Sequence, residues 1–190
     1  MSGTRQDNKI EKKQIKFFKA QPGPGRSNKY VHDATKTINE KVYRAEFKST
    51  SQDRGMFSTS SRMGVMKVEA WKKGFEFMLC SIFDDADEFI GHYVGFQEHL
   101  EPFYQKVIDK QNKGHAGRAG MNLWRKAEND LKSLGYTEKE LKSLHKQNLF
   151  GSRINDPGIS LKEVEEWGWI KLDDKDPNNH LEAILRSRNG

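Results

Sequence analysis

Phe75 to Phe83 is the most apolar stretch of the chain, and it alternates. Phe75, Phe77, Leu79 and Phe83 fall on one side of an extended backbone, Met78, Cys80 and Ile82 on the other. A strand apolar on both faces needs cover on both, so this segment predicts a central strand. The flanking sequence must supply that cover. Only 34% of the 190 residues are hydrophobic and 32% are charged, so apolar residues have to be concentrated in a few segments if burial is to outweigh chain entropy. This length suits one ordinary domain with appendages and excludes a large multidomain enzyme.

Period-two alternation recurs on either side. Tyr43, Ala45 and Phe47 oppose Arg44, Glu46 and Lys48 in Val42 to Lys48, and Met66, Val68 and Ala70 oppose Lys67, Glu69 and Trp71 in Met63 to Lys72. Lys73-Gly74 reads as a hairpin turn into the apolar strand, and Phe89 to Gly95 as a fourth strand beyond the acidic loop Asp84 to Glu88. Phe96, Leu100, Phe103, Val107 and Ile108 then recur at helical spacing, with Pro102 placed in a first turn. The expected fold class is α+β: a four-stranded antiparallel sheet with a following helix across 41–112.

On the amino-terminal side, 1–40 reads as a flexible basic arm with a short helix near Ile10 to Phe18 and a Pro/Gly linker at Gln21 to Gly25. On the other side, 121–190 reads as a helical region. Leu123 to Leu134 carries one apolar stripe ending at Gly135, a C′ glycine. Thr137 with Glu140 and Ser160 with Glu163 have capping-box spacing, and Asp176-Pro177 caps a last helix.

Charge is distributed unevenly. The chain has 33 Lys and Arg against 27 Asp and Glu, and the first thirty residues alone account for the excess of six. Asp84 to Glu101 is purely acidic, with six carboxylates, whereas Lys106 to Lys146 is basic. The acidic cluster lacks the ligand spacing and central glycine of a calcium loop and reads as a solvated hairpin loop. No two of the six histidines stand at i, i+4, and Cys80 sits in the apolar strand as a small core residue. No phosphate-binding glycine loop or serine elbow is present. The expectation is a protein that is not an enzyme and needs no metal or cofactor. No apolar run approaches a membrane span and the start lacks a secretory h-region, which leads us to expect a soluble, intracellular protein without membrane partners.

Single-stranded nucleic acid is the partner this pattern suggests, with RNA somewhat preferred over DNA. With the apolar faces inward, Arg44, Lys48, Lys67 and Trp71 would project from adjacent strands as a cationic surface with an aromatic platform. Arg54, Phe57 and Arg62 in the Ser/Thr-rich loop 49–62 would extend it, and Lys12, Lys13, Lys16 and Lys19 of the arm would add phosphate contacts. Trp71 buried under a helix or in an interface is the competing reading.

The order strand, strand, strand, strand, helix over Lys41 to Lys110, entered through Tyr93-Val94-Gly95-Phe96-Gln97-Glu98, resembles the unit of Whirly proteins and PUR repeats. The likeness is one of pattern, and the lysine-rich motif of plant Whirly proteins is absent. It implies single-strand binding on a curved sheet, a homodimer or higher oligomer, and sheet-face roles for Arg44, Lys67 and Trp71. A second reading stays open, that of an assembly component using the acidic loop and the carboxy-terminal helices as docking surfaces. Those helices make a poor helix-turn-helix, because about ten residues separate Leu149 from Ser160 and Glu163, Glu165 and Glu166 make the second helix acidic.

Overall fold

A computed structural model describes residues 3–23, 32–59, 65–112, 128–147 and 158–188. In chain order the elements are α1 (Gly3–Phe17), β1 (Gln21–Pro22), β2 (Ala34–Ile38), β3 (Lys41–Ser51), β4 (Met56–Phe57), α2 (Val65–Gly74), β5 (Phe77–Phe83), β6 (Phe89–Phe96) and α3 (Gln97–Asn112). A helical segment at 128–133 (α4) follows, then α5 (Glu138–Gln147), β7 (Ile159–Ser160), α6 (Leu161–Glu166), β8 (Ile170–Lys171) and α7 (Pro177–Ser187). The class is α+β.

The described strands form a six-stranded sheet ordered β1-β2-β3-β5-β6-β8 and a two-stranded sheet of β4 and β7. Neighbours pair antiparallel except β3 and β5, which run parallel from Ala45↔Phe77 to Ser51↔Phe83. A parallel pair needs a long crossover, and here it includes α2. That corrects two expectations. Met63 to Lys72 does not supply a strand, and Lys73-Gly74 is no hairpin turn, because helix α2 occupies this stretch. Val68, Trp71 and Phe75 are buried at i, i+3 and i+7, and Met, Lys, Glu and Ala fill the helix with good helix formers. The sheet is therefore larger than four strands and not wholly antiparallel.

β5 does lie at the centre, covered on both faces. Met78 and Cys80 meet a core built from α2, α3 and α5, with Trp71, Phe103 and Leu141 among its members. Phe77 and Leu79 meet a second core with Tyr43, Ala45 and Phe47 of β3, Phe18, and Leu181 and Leu185 of α7. Burial pushes the Cys80 thiol far above its ordinary value, which suits its place in the core.

The amino-terminal segment differs from the expected arm. Ile10, Ile15 and Phe18 are buried. Gln14 reaches into the sheet, donating from Nε2 to the Lys48 carbonyl (3.1 Å), the Leu79 carbonyl (3.1 Å) and Ser81 Oγ (2.8 Å). Ser81 Oγ in turn lies 2.8 Å from His92 Nδ1. The described residues after α1 also enter the sheet, with Gln21↔Thr35 and Pro22↔Ala34 in register. Buried Lys36 ties this side together through the Phe18 carbonyl (2.7 Å), Asn178 Oδ1 (3.0 Å) and Glu182 (3.0 Å).

The helix caps form as expected. Thr137 and Glu140, and Ser160 and Glu163, exchange their reciprocal bonds, and Asp176 accepts from the Asn179 amide. Gly135 has φ +92°, the left-handed conformation of a C′ residue. Pro102 lies in the second turn of α3 rather than the first. Residues 113–127 and 148–157, which hold the expected basic linker and most of the Leu123 stripe, are outside the described set.

Candidate functional site

Register brings distant positions to one end of the sheet. Because Ala45 pairs with Phe77 and Phe77 with Phe96, Arg44, Glu76 and Gln97 gather beyond the start of β5. A cleft of about 380 Å³ opens there. It is lined by the start of β3, the last turn of α2, Phe75 and Glu76, the start of α3, and Arg188 just after α7.

Backbone carbonyls at the end of α2 would otherwise crowd this cleft with partial negative charge. Gln97 answers two nearby carbonyls, donating from Nε2 to those of Trp71 (3.1 Å) and Phe75 (2.7 Å), while its Oε1 accepts from the Tyr104 hydroxyl (2.9 Å).

Five of the lining side chains are cationic: Lys41, Arg44, Lys72, Lys73 and Arg188. Two are carboxylates, and each grips an arginine. Glu76 receives Arg44 Nε (3.1 Å) and Nη2 (2.5 Å) and the Arg44 backbone amide (2.6 Å). Glu98 pairs with Arg188. Burial disfavours the Glu98 anion, yet bonds from its own backbone amide and from Arg188 outweigh that and hold the carboxyl below its usual range. Burial, helped by Arg188 and opposed by Glu98, lowers neighbouring His99, whose Nδ1 accepts from the Phe96 amide at 2.9 Å.

Lys72 also reaches Glu101 (3.2 Å) at the rim. Lys41 and Lys73 have no carboxylate partner among the described residues, so the cleft keeps a net positive field. Two of its aromatic rings are already covered by cations. Lys41 Nζ stands 4.9 Å from the Tyr43 ring centroid, and the Arg188 guanidinium carbon 3.7 Å from that of Phe96. Such a site offers several charge-assisted donors to an anion with multiple oxygens, phosphate above all.

Of the described residues singled out from the sequence, Arg44 alone lines this cleft. Trp71 is 2% exposed and sits on α2 with Phe75 and Phe103 at 5.6 and 5.9 Å, so it offers no open platform. Phe57 is fully buried in the same core. Lys48 points toward α2 rather than solvent, 2.5 Å from Glu46 and 3.7 Å from Asp33, with its ammonium over the Trp71 ring. Burial would lower its pKa, but the two carboxylates overcome that and hold it above the ordinary lysine value. Arg54 is exposed in the turn after β3. Arg62 and the Lys67 side chain are outside the described residues.

Lys12 and Lys16 are exposed on α1 and Lys19 in the turn after it, but Lys13 is bound to Glu88 (2.8 Å) and to the Asp87 carbonyl (2.7 Å). The cleft's other cations escape the sequence because Lys72 ends an expected strand, Lys73 falls in an expected turn and Lys41 starts a strand. Nothing near Arg188 marked it.

Among the described residues, no three His, Cys, Asp or Glu side chains converge as a metal site, and no helix is long and apolar enough to cross a membrane. No protein-family model and no curated protein matches the chain.

Proposed function

We propose that this chain binds single-stranded nucleic acid, RNA or DNA, without transforming it, and that the cleft at the start of β5 holds the strand by its phosphates. One observation carries the reading: five cations line a single cleft with two carboxylates, and Lys41 and Lys73 stay uncompensated there. Phosphate contacts supply most of the affinity of such proteins and make it salt-dependent, with a slope of about −0.7 per phosphate neutralised on a single strand. The platform expected at Trp71 has no part in it.

The test is a titration of labelled single strands and duplex of equal length at several salt concentrations. Wild type is compared with the triple variant Lys41→Gln, Lys72→Gln, Lys73→Gln. If these three lysines each neutralise a phosphate, the slope flattens by about 2 and affinity near 0.1 M salt falls by about a hundredfold. A triple variant with unchanged slope puts the strand elsewhere. Wild type that binds no strand even at low salt overturns nucleic-acid binding and turns attention to a protein partner.

A further inference from the structure

Phosphate contacts alone do not explain why a protein should prefer a single strand, since duplex DNA carries phosphate at higher density. Preference for unpaired strands comes from flat surfaces on which a splayed base can lie, either aromatic rings or the guanidinium plane of arginine. Among the rings that line the cleft, Tyr43, Phe75 and Phe96 are all buried. The remaining flat groups are the guanidiniums of Arg44 and Arg188, and of the two Arg188 is the one seated on an aromatic ring, whereas Arg44 is engaged along its edge by Glu76.

Its setting is specific. The guanidinium carbon lies 3.7 Å from the Phe96 ring centroid, the separation at which a guanidinium plane rests flat on a ring. Glu98 holds the guanidinium from the side, and 40% of the Arg188 side chain stays open. One face of the plane is therefore backed by Phe96 and the edge is fixed by Glu98, which leaves the outer face toward the cleft. Fixing an arginine this way removes the side-chain freedom that a ligand would otherwise have to freeze. The support is itself rooted: Phe96 ends β6, and Arg188 caps α7, whose Leu185 carbonyl accepts from the Tyr43 hydroxyl at 2.9 Å.

Resting on the reading of the cleft as a single-strand site, we propose that the outer face of the Arg188 guanidinium is the base-stacking plate of that site, with Lys41, Lys72 and Lys73 holding the adjoining phosphates. Arg188 thus determines specificity for a strand with an unpaired base over a bare phosphodiester chain.

The experiment compares two probes on the full chain: a short single strand, and the same strand with abasic sites throughout. Stacking of one base contributes about 1 to 3 kcal/mol, so wild type should favour the base-bearing strand by about fivefold or more. Arg188→Lys keeps the charge and loses the plane. It should bring the two affinities together while leaving the salt slope of the base-bearing strand unchanged. Arg188→Lys that still favours the base-bearing strand overturns the stacking plate and leaves phosphate binding standing. Wild type that binds neither probe overturns the cleft reading itself. Because Arg188 backs onto buried Phe96, thermal unfolding of Arg188→Lys is measured alongside. Glu98→Gln gives an independent check, since it releases the edge of the plane without touching it and should lower the base preference by a smaller factor than Arg188→Lys does. A Glu98→Gln preference equal to or above wild type overturns the claim that the plane is held for stacking.

Discussion

The two ends of β5 carry opposite solutions to the same charge. At its carboxyl end the acidic loop meets basic α1: Lys9 pairs with Asp87 (2.7 Å) and Lys13 with Glu88 (2.8 Å), so part of the amino-terminal charge is answered within the molecule. At its amino end, five cations from three separate stretches of sequence meet two lining carboxylates, with Glu101 at the rim. A count of lysines along the chain ranks the first end above the second, whereas the fold reverses that order. What matters to a polyanion is the charge left after internal pairing.

Trp71 gives the sharpest way to break this contrast, because it lies in the turn of α2 that carries Lys72 and Lys73. As a buried ring packed on Phe75 and Phe103, it should cost about 4 kcal/mol when cut to Ala. Chemical denaturation reads this directly. Nucleic-acid binding would fall only in step with the loss of fold. A Trp71→Ala protein of wild-type stability that has lost single-strand affinity would restore the exposed platform and refute the cleft as the principal site.

Acid should act at the other end. His92 lies beneath Phe17 and Phe18, with ring centroids 5.2 and 4.9 Å away, and burial pushes its pKa down to about 4. Its folded pKa is thus below that of the unfolded chain, near 6.5, and the unfolded state takes up the proton first. The associated stability is fully present above about pH 6.5 and declines as pH falls toward 4, and about 3 kcal/mol of it has been lost once both states are protonated. Urea midpoints of wild type and His92→Gln should diverge at neutral pH and converge in acid. Lysine and arginine do not titrate in this window, so at pH values where the protein remains folded the salt slope of strand binding should hold. Parallel pH curves for the two proteins would show that His92 is not the group responsible.

How much of this was legible depended on whether one local pattern settled the matter. Alternation over Val42 to Lys48, Phe75 to Phe83 and Phe89 to Gly95 located three neighbouring strands, and the burial of β5 on both faces followed from its composition. The caps at Thr137, Ser160 and Asp176 were legible because they act over three residues. Met63 to Lys72 was not, since Met66, Val68 and Ala70 fit a period of two while Val68, Trp71 and Phe75 fit a helix. The parallel pairing of β3 with β5, a contact between residues 32 apart, decides between them. The same limit hid β8, a two-residue strand that pairs with β6 far along the chain, while β2 was lost for another reason: it is a five-residue strand joined to β3 by the tight turn at Asn39 and Glu40, both at positive φ, inside the stretch that its basic residues marked as an arm. In α1 the lysines that suggested an arm share the helix with Ile10 and Ile15, and these two with Phe18 just after it bind the segment to the fold. No spacing links Lys41, Lys73 and Arg188, so the cleft exists only once strand register is known.

The smallest expected effect tests the comparison from its acidic end. If Lys9 and Lys13 are already matched by Asp87 and Glu88, removing their charge changes little that a nucleic acid can sense. Lys9→Gln with Lys13→Gln should leave the salt slope of single-strand binding within error of wild type, against a flattening of about 2 for the three cleft lysines. The pairs are largely open to solvent, so their loss is screened. Lys13→Gln alone should cost under about 1 kcal/mol, read as a small shift in urea midpoint. Asp84 would still organise the loop by accepting from the Ala86 and Glu88 amides at 2.9 and 2.8 Å. A slope that flattens in this double variant as much as in the cleft variant would mean that the strand displaces the acidic loop from α1. The two ends of β5 would then be one extended binding track, with the loop competing for its lysines.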